Sequence, residues 1–460
     1  MAVNAARGAT AAAVTSITRL STPVPLPILF MVASFLCPSE LSLYLAGLRL
    51  PPHRVALLLL LPIALNRLFS GRNVRLHSYD FLVLTFAGLS LAAYWINGEA
   101  ATGLVFGGSV ALEAFASYAI ARAWVRNAAQ FMATLKLLVL AVLVAGLVAL
   151  PETLLGGYFT HDFLRGYLGG DPLPEVEKRL GFYRAASVFD HPIHLGTFCA
   201  SLLALVWTAE RRTSVKIACL AITVSATLTA VSSAPILCLG LQIGLLLLER
   251  LTRGIPSRVP LILAVTAGLY IGATVAATRS PFAIIATGFT IDSWTGYYRL
   301  MIWEYGIDTV LAHPLLGIGQ ADWERPKWMT SATVDAFWLV IAMRTGLPSL
   351  LVVLIAIGLI VAAVIRSRRR SRDAVLRRIS VGWVVSLLAL SMAAATVHLW
   401  NVVFAYYFFF LGLGGWIADP QRQKAAAAPV RTPSARRGRG GQCAPVATMP
   451  LPQTIPSITA

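Results

Sequence analysis

The chain has 460 residues, of which 57% are hydrophobic and only 13% carry a charged side chain. Soluble domains have roughly 25% charged residues, so this composition excludes a water-soluble globular protein and indicates a chain that lies largely in lipid. The net charge of +18 could suggest a nucleic-acid partner, but the basic residues fall in loops and a tail rather than on one face of a soluble domain, which excludes that class.

Long apolar stretches recur along residues 1–418. About 20 apolar residues cross the hydrocarbon core as a helix. The stretches therefore predict an all-α polytopic membrane protein with about twelve spans, centred near residues 30, 60, 88, 113, 142, 201, 223, 242, 268, 352, 388 and 409. No cleavage site follows the first stretch, PVPLPILFMVASFL, so we expect it to remain as the first span.

The distribution of charge predicts the orientation of the chain. Basic residues occupy alternate loops, with the densest run, RSRRRSRDAVLRR, at 366–378, and the other loops hold most of the acidic residues. This asymmetry follows the positive-inside rule and predicts that both termini are cytoplasmic. Residues 419–460 are basic and of low complexity, which predicts a disordered cytoplasmic tail.

Two predicted loops are long, about 151–191 and about 278–335, and both lie on the non-cytoplasmic side. Loops of this length usually carry function or are disordered, and the many aromatic residues of the second argue against disorder. The first ends in RAASVFDHPIHLG, where Arg184, His191 and His194 stand directly before an apolar span.

In the second loop, SWTGYYRLMIWEYGIDTVLAHP predicts an amphipathic helix that ends at His313, before a proline. Arg299 and Trp303 would share one face of that helix, and Glu304 would point about 100° further round. The following HPLLGIG has glycines that allow a tight turn or a close approach to a ligand.

The second loop ends at Asp335, which stands at the mouth of a span, and Arg344 lies about two turns inside that span. An intramembrane arginine is costly and by default indicates a functional site. Other residues have a structural interpretation: His194, His398 and Asn401 would be hydrogen-bonded packing residues. The same interpretation covers three arginines at span ends, which would meet only lipid headgroups or loop carboxylates: Arg49, Arg54 and Arg165.

The sequence lacks the motifs of several common classes of nucleotide-binding and metal-binding site. The sequence has no P-loop, no GxGxxG after a strand, no HExxH, no paired CxxC and no DxD, and its five cysteines have neither disulfide nor zinc spacing. We therefore expect no metal and no other cofactor. A reaction on the outward side needs a substrate that arrives already activated, such as a lipid-diphosphate-linked glycan. Arginines stabilise a departing diphosphate, and a carboxylate or histidine can deprotonate the attacking hydroxyl.

RAASVFDHPIHLG and YYRLMIWEYGIDTVLAHPLLGIG resemble the Arg-x-x-Gly/Ser-x-Phe-x-x-Pro and Arg-x-x-x-Trp…Pro-x-x-Gly-x-Gly stretches of the O-antigen ligase/polymerase family, which includes exopolysaccharide polymerases. The resemblance implies a GT-C-like, metal-independent glycosyltransferase of the bacterial inner membrane. Such an enzyme moves a glycan from undecaprenyl diphosphate to an acceptor hydroxyl on the periplasmic side. It further implies that Arg184 and Arg299 bind the diphosphate, and that Trp303 and residues 314–319 shape the site.

The chain departs from the family pattern at two places. Where the family often has Ser-Arg after the seventh span, this chain has Ser232-Ser233-Ala234, so Lys178, Arg179 or Arg344 would have to supply the missing cation. Where ligases tend to have a catalytic histidine before the span after the large loop, this chain has Asp335, which favours a polymerase.

The leading hypothesis is a polymerase of lipid-linked repeat units, with a glycan acceptor and a chain-length regulator as candidate partners. The alternatives are an O-antigen ligase acting on lipid A-core and a transporter or flippase of the lipid-linked glycan. The predicted catalytic residues are Asp335, Glu304 and His191. The predicted substrate-binding residues are Arg184, Arg299, Trp303, His194, His313 and Arg344.

Overall fold

The computed structural model describes residues 23–45, 48–70, 74–169, 173, 175–254 and 293–419. Within these ranges most of the chain is helical. The helices are α1 (Leu26–Phe35), α2 (Pro52–Phe69), α3 (Ser78–Asn97), α4 (Ala100–Trp124), α5 (Ala128–Leu155), α6 (Phe159–Leu168), α7 (Pro192–Ala200), α8 (Leu203–Ala209), α9 (Thr213–Leu228), α10 (Ser233–Leu251), α11 (Ser293–Ala312), α12 (Phe337–Arg370), α13 (Ala374–Ala393), α14 (Asn401–Leu413) and α15 (Gly415–Ala418).

Two small antiparallel hairpins complete the described structure. In the first, β1 (Leu43–Leu45) pairs with β2 (Leu48–Leu50), directly after a 3₁₀ turn at Ser39–Leu41. In the second, β3 (Lys178–Arg179) pairs with β4 (Phe182–Tyr183).

Nine helical segments of the described chain are long and apolar enough to cross a membrane, with α7–α8 and α14–α15 each counted as one segment, and α1 and α9 are shorter apolar helices. The prediction of an all-α polytopic membrane protein is confirmed at this level. Together these are eleven apolar segments, and each coincides with one of the predicted spans. The twelfth predicted span, near residue 268, lies outside the described residues, and so does the tail from residue 420 onward.

The last apolar segment occupies the centre of the bundle. The run YYFFF of α14 is fully buried. Its rings pack on three other helices: Phe409 lies 5.7 Å from Phe35 of α1, Phe408 lies 5.5 Å from Phe86 of α3, and Tyr406 lies 4.7 Å from Phe198 of α7. Lipid chains are as apolar as these side chains, so close packing rather than escape from water holds such helices together.

Charged side chains are paired at two places inside the bundle. Arg122 of α4 donates from Nε to the Asp80 carboxylate of α3 over 3.0 Å. Glu113 of α4 accepts from Arg54 Nε over 2.7 Å and lies 2.9 Å from His53 Nε2. The interpretation that Arg54 would meet only headgroups or loop carboxylates is therefore wrong, because its partner belongs to a spanning helix. An unpaired charge at this depth would be expensive, which explains the pairing.

The long loops contain more structure than their sequences indicated. Helix α5 continues to Leu155, beyond the predicted start of the first loop, and α6 and the β3–β4 hairpin follow it. In the second loop, a helix is present where one was predicted: α11 begins at Ser293 and ends directly before His313, but its apolar side chains are not gathered on one face as an amphipathic helix would have them.

Candidate functional site

The segment that carries Arg184 is held by hydrogen bonds from its backbone to distant parts of the chain. The Glu152 carboxylate at the end of α5 accepts from the backbone N–H of Ala186 over 3.0 Å and of Ser187 over 2.8 Å. Ser187 has the left-handed φ of 58°, which fixes a sharp turn. The backbone N–H of Ala185 donates to the Thr229 carbonyl between α9 and α10 over 3.1 Å.

Arg184 is buried, and only part of its guanidinium group is hydrogen-bonded. Nη1 donates to the Glu177 carboxylate over 2.7 Å, and Nη2 has no hydrogen-bond partner among the described residues. The same oxygen of Glu177 lies 2.9 Å from Arg179 Nη2, so one exposed carboxylate bridges two arginines. Burial and the neighbouring charge of Arg179 lower the pKa of Arg184.

Arg299 of α11 belongs to the other long loop and lies within electrostatic range of Arg184. It is 7% exposed, and its Nε has no hydrogen-bond partner within the described ranges. Asp335, Arg179 and Arg184 all lie within electrostatic range of it. Burial lowers the pKa of Arg299, and Asp335 opposes that shift. The three arginines and Asp335 form what we call the arginine cluster.

Asp335 lies two residues before α12 and is half-buried. Burial raises the pKa of its carboxyl, and the positive charges of Arg299 and Arg184 act against that rise. A carboxylate with a raised pKa is a stronger base than an exposed one. The cluster thus combines buried positive charge with one basic carboxylate.

Three histidines surround Trp400, just before α14. Its ring lies 5.8 Å from His191, 3.7 Å from His194 and 5.4 Å from His398, measured between centroids. His194 is buried, and its Nε2 lies 3.2 Å from the His398 carbonyl, in agreement with its interpretation as a hydrogen-bonded packing residue. Sequence reasoning did not single out Trp400.

His191 links the histidines to the arginine cluster. Its Nδ1 accepts from the Ile193 backbone N–H over 3.1 Å and caps α7. Burial, followed by the positive charge of Arg184, lowers the pKa of His191 to about 4. The neutral ring is therefore the form that caps the helix at neutral pH.

Asn401 connects the site to the buried charges of the bundle. Its Nδ2 donates to Asp190, the neighbour of His191, over 2.9 Å, and its Oδ1 accepts from Arg54 Nη2 over 3.4 Å. Asn401 has the left-handed φ of 50°, a conformation that asparagine tolerates better than most residues. Its interpretation as a hydrogen-bonded packing residue agrees with these contacts.

Arg344 binds the backbone of residues 319–321 rather than an open site. Its Nη1 donates to the carbonyls of Gly319 over 3.0 Å and Ala321 over 2.5 Å. The backbone N–H of Ile318 and of Gly319 donate to the carbonyls of Met343 and Arg344, over 2.8 and 3.0 Å. The glycines of HPLLGIG therefore approach the backbone of α12.

A break in α12 allows this docking. Gly346 has a φ of 82°, and a Cβ there would overlap the Leu315 carbonyl. The Leu347 backbone N–H donates to the Pro314 carbonyl over 2.8 Å, which replaces the helical hydrogen bond lost at the break.

The remaining predicted site residues lie apart from the cluster or on its margin. Trp303 Nε1 donates to the Ala395 carbonyl over 3.3 Å, just after the end of α13. Glu304 is exposed and points about 140° round α11 from Arg299. His313 lines a cavity of about 570 Å³ together with Asp308, Asp322 and Glu324.

The described part of the chain has no group of three or more His, Cys, Asp or Glu side chains placed to hold a metal ion. The arginine cluster brings together buried positive charge from both long loops. No protein-family model matches the sequence, and a search of curated proteins gives no match.

Proposed function

We propose that the protein is a membrane glycosyltransferase of the O-antigen ligase/polymerase family, with a GT-C-like fold, that polymerises undecaprenyl-diphosphate-linked repeat units at the periplasmic face of the inner membrane. One observation carries the proposal: Arg184 and Arg299 come from different long loops, are both buried, and each keeps a guanidinium nitrogen without a partner in the described chain.

An anionic ligand would satisfy these arginines. A buried donor without an acceptor costs about 1–3 kcal/mol and a charged one more, so such donors point to a ligand. A diphosphate offers several oxygens to three guanidinium groups, and arginine binds phosphate through two parallel hydrogen bonds. The exposed Glu177 carboxylate, which bridges Arg179 and Arg184, occupies the position of such an oxygen. Arg179 is therefore our candidate for the cation that Ser232-Ser233-Ala234 lacks.

The reaction needs three events. The acceptor hydroxyl oxygen attacks the anomeric carbon of the donor sugar, and the bond from that carbon to the diphosphate oxygen breaks. The Asp335 carboxylate takes the hydroxyl proton, for which its raised pKa suits it. The charge that develops on the departing diphosphate is stabilised by Arg179, Arg184 and Arg299.

Location supports a lipid-linked donor. Nine segments of the described chain are long and apolar enough to cross a bilayer, and the positive-inside rule predicts that both long loops lie on the periplasmic side, away from nucleotide sugars. A polyprenyl diphosphate brings its own activated bond and holds it at headgroup depth, where we expect these loops to lie.

Gene deletion and complementation test the proposal in the producing bacterium. Loss of the polymerase should leave single repeat units on the lipid carrier, and Arg184→Ala or Arg299→Ala should reproduce that defect. Arg165→Ala is the matched control, because this arginine of the same loops pairs with Asp162 outside the cluster. Full-length polymer left on the carrier would instead identify a ligase. Normal polymer from both cluster variants would contradict the mechanism.

A further inference from the structure

Helix α6 has an aromatic face that is left exposed. Phe159, Phe163 and Tyr167 are spaced by four residues and therefore share one side of the helix. Phe163 is 64% and Tyr167 79% exposed, and their rings lie 5.1 Å apart. Aromatic rings rarely stand in water as a contiguous row, so this face calls for a partner.

The opposite side of α6 is fixed to the body of the protein. His161 is fully buried, and its Nδ1 lies 2.8 Å from the Glu40 carboxylate in the turn before β1. Because His161 stands about 160° from Phe163 round the helix, this contact directs the aromatic face away from the bundle. The orientation of α6 is thus set by the fold.

The aromatic face continues a surface of α5. Leu147, Leu150 and Leu154 are exposed along the second half of α5, a segment apolar enough to span a membrane. Gly156 and Gly157, both with positive φ, then turn the chain into α6. A surface that meets lipid along α5 therefore runs on into α6.

The β1–β2 hairpin, which directly follows Glu40 in the chain, adds further exposed apolar side chains beside α6. Leu43, Tyr44 and Leu45 are all largely exposed, Tyr44 to 70%. Arg49 of β2 donates to Ser42 Oγ over 3.2 Å, and Arg165 of α6 pairs with Asp162. Arginines beside exposed apolar side chains suit the boundary between acyl chains and phosphate headgroups.

We propose that α6 and the β1–β2 hairpin form one interfacial surface whose aromatic and leucine side chains insert into the adjacent leaflet of the bilayer. Its partner is bulk lipid, because the surface is continuous with the lipid-facing side of α5 and is bordered by arginine. Helix α6 is then a membrane-anchored element rather than part of a loop in water. This inference does not depend on the proposed reaction.

Site-directed spin labelling in lipid nanodiscs tests the inference. The full chain would carry Cys37→Ser and Cys443→Ser, and a nitroxide would be attached to Phe163→Cys or Tyr44→Cys. Leu147→Cys on α5 serves as the lipid standard and Asp322→Cys as the water standard, since both positions are exposed. Asp162→Cys is the matched control on α6.

We expect the labels at positions 163 and 44 to give an oxygen-to-nickel accessibility ratio close to that of the lipid standard at 147. This ratio should be several-fold above that of the water standard at 322. The label at 162 should give a lower ratio than the label at 163. Ratios at 163 and 44 equal to that at 322 would place the surface in water. Labels shielded from both relaxing agents would indicate a protein cover. Either result would overturn the inference.

Discussion

Glu152 holds the turn that follows Arg184, and it has no contact with the side chains of the arginine cluster. Substituting Glu152 therefore tests how that turn keeps Arg184 in position. The Glu152 carboxylate accepts two buried backbone hydrogen bonds, from Ala186 and Ser187. In Glu152→Ala both N–H groups lose their acceptor, at about 1–3 kcal/mol each. The free energy of unfolding should therefore fall by about 2–6 kcal/mol.

Glu152→Gln should lie between the wild type and Glu152→Ala. The amide oxygen can still accept the two N–H groups, but the amide nitrogen would take the place of Oε1, which is buried without a hydrogen-bond partner among the described residues. Unfolding by SDS titration, followed by tryptophan fluorescence, gives the order of the three proteins. Glycan transfer should decline in the same order, because the turn that presents Arg184 loosens.

Glu175→Ala is the matched control, since this carboxylate of the same loop is exposed. Its free energy of unfolding should stay within about 0.5 kcal/mol of the wild type. If Glu152→Ala unfolds at the same SDS concentration as Glu175→Ala, the carboxylate does not hold the turn and the reasoning is wrong.

Three further predictions follow from the site. Glu177→Gln should strengthen the binding of inorganic pyrophosphate about two- to fivefold in titration calorimetry, because it removes a negative charge that competes for Arg179 and Arg184. The gain is limited because a solvent-exposed charge pair is worth at most about 1 kcal/mol. Unchanged or weaker binding would contradict this prediction. His191 has its pKa lowered to about 4, so its stabilising contribution is complete above about pH 6.5 and is lost as the pH falls towards 4, by up to about 3 kcal/mol. His191→Asn keeps a capping side chain that does not titrate, so it should lose less stability than the wild type between pH 7 and 4, and equal losses would refute the assignment. Arg344→Ala should lower thermal stability but leave pyrophosphate affinity unchanged, because its guanidinium binds backbone carbonyls; a large loss of affinity would return Arg344 to the site.

Composition and charge were sufficient to predict the class of the protein and most of its helices. A span needs only length and low polarity, and α11 stops where a proline follows, so both can be recognised locally. Arg184 and Arg299 could also be selected, because buried or membrane-proximal charges are rare enough to stand out.

The contacts between distant segments could not be predicted in the same way. Glu152 looked like any acid of an outward loop, and its role depends on a turn that lies more than thirty residues later in the chain. The sequence could not show that Arg179 lies beside Arg184, because the β3–β4 hairpin and the shared Glu177 carboxylate bring them together. Trp400 carries no local signal at all, since its contacts with three histidines arise from helices that meet only in the folded bundle.

Glycosidic bond formation in proteoliposomes tests the central claim most directly. The purified chain would be given a polyprenyl-diphosphate-linked repeat unit from the producing bacterium, without nucleotide or metal, and initial rates would be compared for wild type, Arg299→Gln and Arg165→Gln. We expect product from the wild type and Arg165→Gln, and a rate about 10²–10³-fold lower for Arg299→Gln, the usual effect of removing one group that stabilises developing negative charge. No product from the wild type, or equal rates for all three proteins, would contradict the account.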